Sequence, residues 1–228
     1  MPNRTEAEEH LRVIRSLMEK ATIYRAISAP VALVGGLVSI VFGGWLYFHW
    51  RPLPRGIEEE QFARLFTSGW LVVLVITMSA NSIFIWKAAK ARHEPFISSA
   101  MRKALWALLP PILCGAFFTF ALILTKQDGW LWSLPPIWMV CYGLGLLATA
   151  HFAPRSIPLL GWFFLAAGLL TFSANYYIAF RDWWGDGETH RPTAANLSMI
   201  LTFGLFHLIY AACTWPRKHS ASSSDLEP

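Results

Sequence analysis

His207 stands well inside an apolar stretch, with Tyr210 three residues on and Asn196 eleven residues before it. An imidazole in such surroundings either ligates a metal or haem iron, or holds a neutral hydrogen bond within a helix bundle. Ligation requires a second ligand facing it at matched depth. His151 is the nearest match in type, but it lies roughly two helical turns away in depth and brings no companion ligand. The residue types therefore point to a neutral polar centre, with His207 and Tyr210 as ligand-binding candidates and no metal or cofactor implied.

A second polar pattern recurs along the chain. Thr77-Met78-Ser79-Ala80-Asn81 and Thr171-Phe172-Ser173-Ala174-Asn175 agree at four of five positions. Small hydroxyls and amides inside apolar helices hydrogen-bond between helices and let them approach closely, as do Gly35-Gly36, Gly43-Gly44 and the Gly143/Gly145 pair. The two segments fall in helices of opposite direction, so they also fit a 3+3 inverted repeat. Asn81, Asn175 and His207 would then face one shared midplane cavity for a neutral or weakly polar solute.

Leu-Pro-Pro-Ile occurs at Leu109 to Ile112 and again at Leu134 to Ile137. Proline removes a backbone donor and clashes with the preceding turn, so Pro110 and Pro111 are expected to bend a helix. Pro135 and Pro136 fit the first turn of another. All four are hinge candidates. The segment Arg181 to His190 offers oxygen and imidazole groups, but its spacing fits no calcium loop and reads as a turn. The run Glu58-Glu59-Glu60 reads as the solvated side of a short surface helix between Arg51 and Arg64, because neighbours on a helix diverge by about 100°.

These residues are positioned by six charge-free windows of 22 to 26 residues: Ala26 to Trp50, Leu65 to Trp86, Ala104 to Thr125, Gly129 to Pro154, Ser156 to Phe180 and Pro192 to Pro216. A hydrocarbon core about 30 Å thick needs roughly 20 apolar residues per helix. The chain is 55% hydrophobic and 14% charged, with a mean hydropathy of +0.41. Its apolar runs do not alternate in the way barrel strands require. The expected fold is all-α: a polytopic six-transmembrane-helix bundle over residues 26–216, a cytoplasmic amphipathic arm over 1–25, and a disordered cytoplasmic tail over 217–228.

Basic residues set the orientation. Placing the N-terminus inside puts 13 Lys and Arg in the cytoplasm against 6 outside, while the acidic residues divide 7 and 7. Both termini are then cytoplasmic, and the net charge of +5 follows from topology rather than from nucleic-acid binding. Trp45, Trp50, Trp70, Trp86, Trp106, Trp130, Trp132 and others near window ends suit an aromatic belt. Cys114, Cys141 and Cys213 form no ligand spacing and read as packing residues.

The arm opens with a capping box at Thr5 to Glu8 and repeats Leu11, Ile14, Leu17, Met18 and Ala21 at helical spacing. Its continuation, IRSLMEKATIYRAISAPVALVGG, resembles the start of a group of small bacterial multi-pass membrane proteins of uncharacterised function. That resemblance implies a bacterial source, with no residue roles; the expected location is the cell (inner) membrane. The arm and the basic 87–103 loop are the surfaces where a protein partner is expected; the bilayer is the other partner.

No GxSxG, HExxH, P-loop or GxGxxG sequence is present, and no acid, base or nucleophile cluster converges, so no catalytic residue is assigned and the chain is not expected to be an enzyme. The leading expectation is a non-enzymatic regulatory or accessory membrane component. A small transporter of a neutral or weakly polar substrate is the alternative.

Overall fold

The computed structural model describes residues 8–10, 13, 29–49, 57–91, 99–125, 130–151, 153–184 and 191–215. The described residues are helical with connecting turns and contain no strand. The elements are α1 (Ala29–His49), α2 (Ile57–Ala91), α3 (Ser99–Thr125), α4 (Trp130–Ala148), α5 (Ser156–Trp184), and a sixth rod made of α6 (Arg191–Met199), a π-helical segment π1 (Ile200–Phe206) and α7 (His207–Thr214). Glu8, Glu9, His10 and Val13 are helical; the rest of the arm, most of the 87–103 loop's connecting segment and the tail lie outside the described residues.

Among the described residues, five stretches are long and apolar enough to cross a membrane: Ala29–His49, Gln61–Ala91, Met101–Thr125, Ser156–Tyr177 and Ala194–Thr214. This is a multi-pass membrane protein by helix length and hydropathy. The fourth charge-free window yields a shorter apolar helix, Trp132–Ala148. It stops early because Thr149 and Ala150 turn back to the carbonyls of Leu146 and Leu147, at 3.1 and 3.0 Å, ahead of Pro154.

Helix ends run past the apolar windows in two places. Glu58 to Glu60 form the start of α2 rather than a separate surface helix, since nothing between Ile57 and Ala91 breaks the helix and carboxylates suit its first turn. Arg181 to Trp184, read as part of a turn, continue α5. Pro135 and Pro136 sit beyond the first turn of α4, fully buried.

Packing is uneven. α1 packs on α2 and on all three parts of the sixth rod, α3 packs on α4, and α4 packs on α5. Glycines set the close approaches. A Cβ on Gly143 would stand 2.8 Å from both Gly161 O and Leu165 N, and one on Gly36 would stand 2.7 Å from Leu208 Cδ2. The core gathers Leu46, Phe62, Phe66, Leu134, Met139, Ile157 and Phe164. Trp70 and Trp132 belong to this core instead of the aromatic belt. Their depth matched the belt, but depth along a helix does not fix which way a side chain faces.

Candidate functional site

His207 is held from both sides. Its Nε2 lies 2.9 Å from Tyr142 Oη on α4, and its Nδ1 lies 3.0 Å from Phe203 O one turn back. A carbonyl only accepts, so Nδ1 carries the proton and the neutral ring takes the Tyr142 O–H at Nε2. His207 directly follows the π segment, and its backbone N–H is directed to Gly204 O.

Aromatic rings enclose the pair. Phe164 of α5 packs edge-on to Tyr142 at 4.7 Å and to His207 at 5.4 Å, and it also meets Phe203 at 4.9 Å and Phe206 at 5.6 Å. Phe203 stacks on His207 at 6.2 Å. Tyr210 is buried one turn further along, within electrostatic reach of Tyr142. The result is a neutral hydrogen bond in an apolar shell, which joins α4, α5 and the sixth rod. Both ring nitrogens of His207 are engaged, and His151 lies exposed in the turn after α4. Among the described residues no group of three His, Cys, Asp or Glu side chains is arranged to hold a metal.

The expected residues are only partly brought together. His207 and Tyr210 share one cluster, whereas Asn175 Nδ2 donates to Trp132 O at 2.9 Å. That carbonyl would ordinarily receive the N–H of residue 136, which is proline. Asn175 thus repairs the α4 ladder from α5. Asn81 lies on α2 with its buried Oδ1 unpaired. Among the described residues no hydrogen bond joins Asn81, Asn175 and His207 to one another.

Three other contacts were not read from the sequence. Tyr142 is 65 residues from His207, and its only advance sign was being the hydroxyl-bearing aromatic of the fourth window. Asn196 Nδ2 donates to Gly43 O at 2.7 Å, tying α6 to α1. Trp138 Nε1 donates to Thr119 Oγ1 at 2.8 Å, tying α4 to α3. Comparison with family models, curated proteins and solved structures finds no match to this chain.

Proposed function

We propose that the chain is a six-crossing protein of a bacterial inner membrane with both termini cytoplasmic, and that it is a small carrier of a neutral or weakly polar solute built as a 3+3 inverted repeat. One observation carries this reading: helix pairing recurs at intervals of three. α1 packs on α2 as α4 packs on α5, and α3 packs on α4 as the sixth rod packs on α1. Three crossings apart, counterparts run in opposite directions, as inverted repeats require.

Side chains support the same correspondence. Thr77 of α2 lies against Gly35 of α1, its Cγ2 2.9 Å from a Cβ built there, and Thr171 of α5 reaches Met139 Sδ of α4 at 4.0 Å. Counting back from these threonines, Ala63, Phe66, Thr67 and Trp70 are buried on α2, and at the same spacing Ile157, Leu160, Gly161 and Phe164 are buried on α5. With Asn175 engaged in repairing α4, the cargo site falls to the seam beside Tyr142 and His207 rather than to the two asparagines. The test is thermal unfolding of the full chain in lipid nanodiscs against a panel of uncharged solutes, followed by counterflow in proteoliposomes. A saturable rise in Tm with matching exchange supports the carrier; a panel without effect on either weighs against it.

A regulatory or accessory component is the second reading, favoured by the surface of α2. Every described residue from Leu74 to Ala91 is at least partly exposed, and Leu74, Val75, Met78, Ser79, Ser82 and Ile83 line an open groove of about 540 Å³. A photo-crosslinker at Ser82 would give one discrete protein adduct on this reading, and lipid adducts alone otherwise.

A further inference from the structure

We infer that the two halves of the repeat are held here in opposite conformations, and that the chain works by exchanging them. This rests on the inverted-repeat reading and adds to it the residues that move. The third helix of each half carries a local irregularity at the same place, prolines inside α3, which stays helical throughout, and the π segment in the sixth rod. Pro111 precedes Gly115, whose Cβ position is 3.4 Å from Cys141 Cβ on α4; Ile200, which opens π1, precedes Gly204, whose Cβ position is 2.7 Å from Ile40 Cγ1 on α1. Both intervals are four residues. Local irregularities at corresponding positions of two inverted halves are where such proteins flex and bind.

Matching Gly115 with Gly204 sets Cys114 against Phe203, Phe117 against Phe206 and Phe118 against His207. The surroundings of these counterparts differ sharply. Phe203, Phe206 and His207 pack on Phe164, whereas Phe117 and Phe118 are 66% and 44% exposed. The sixth rod packs on α4 and α5, yet α3 has no comparable packing on α1 or α2 among the described residues. One seam is closed and its counterpart is open.

The open seam has a receiving group. Phe164 corresponds to Trp70, which is buried, meets Phe42 edge-on at 5.4 Å, and has an Nε1–H with no acceptor. A buried unpaired donor is costly, so the packing around Trp70 is less settled than that around Phe164. In the second state Phe117 and Phe118 move in beside Trp70, while Phe203, Phe206 and His207 withdraw from Phe164 and the Tyr142–His207 bond opens. A helix carrying prolines or a π segment leaves fewer regular ladder bonds to disrupt in such a move than a regular helix would.

Spin-label distances on the full-length, cysteine-free chain in nanodiscs test this. The label pairs are Ser68 with Phe120 and their counterparts Trp162 with Ile209, all exposed positions outside the seams. The expected result is two populations at each pair, anticorrelated between the pairs. Tyr142→Phe, which removes the bond closing one seam, should shift the populations roughly threefold toward a short Ser68–Phe120 distance. A single distance at each pair, unmoved by Tyr142→Phe in protein that remains helical by circular dichroism, overturns the inference. So do two pairs that lengthen together. Anticorrelated distances without exchange of any uncharged solute would leave this inference standing and remove the carrier reading instead.

Discussion

Asn175 of α5 donates its side-chain amide to Trp132 O, the carbonyl on α4 that Pro136 leaves without its usual partner, at 2.9 Å. A proline inside an apolar helix strands a carbonyl where no water can reach it. The asparagine thereby makes the Pro-Pro step tolerable and fixes α5 on α4.

Asn175→Leu should cost about 1 kcal/mol of stability, in the range found for polar contacts between membrane helices. The cost should shrink in a Pro136→Ala background, because the introduced alanine would supply its own backbone N–H to Trp132 O. A double-mutant cycle read by unfolding in mixed micelles checks this; equal costs in both backgrounds would mean that the amide serves another purpose.

Tyr142→Phe keeps the ring packing on Phe164 and removes only the hydroxyl that His207 Nε2 accepts. The expected loss is about 0.6–1.7 kcal/mol. His207→Leu in the same background should add little beyond its own packing change, since the shared bond is already gone. Additive losses in an unfolding cycle would show that the two side chains are not coupled.

The glycines separate into two kinds. A methyl on Gly143 would meet backbone atoms Gly161 O and Leu165 N at 2.8 Å, which cannot rotate away, whereas nothing lies within 4 Å of a methyl on Gly44. Gly143→Ala should destabilise by about 1–3 kcal/mol. Gly44→Ala should be neutral or stabilise by up to about 1 kcal/mol, because alanine loses less backbone freedom in a helix. Thermal melts of the two variants side by side measure the contrast.

Much of this fold was legible because crossing a bilayer imposes length and apolarity on a local stretch of chain. The windows located every long helix among the described residues. They misplaced the ends, since charge marks the membrane boundary while Gly, Pro and turn bonds mark the helix boundary; Glu58 to Glu60 and Arg181 to Trp184 are helical for that reason. Facing is harder to read. Trp70 and Trp132 looked like interface anchors, yet packing turned both inward. His207 and Tyr210 were legible as polar centres, but their partner Tyr142 depends on how two distant helices rotate against each other. The π segment that precedes His207 was not read from the sequence either.

Thiol reactivity at two counterpart positions tests the exchange of halves most directly. Cys114 is native and exposed, and it corresponds to Phe203 in the closed seam. In chains carrying either Cys114 alone or Phe203→Cys alone, labelling by a lipid-soluble maleimide should be faster at Cys114 than at position 203. Tyr142→Phe should then slow the first and speed the second. Rates that rise together, or that do not respond, would contradict an inverted repeat whose halves trade places.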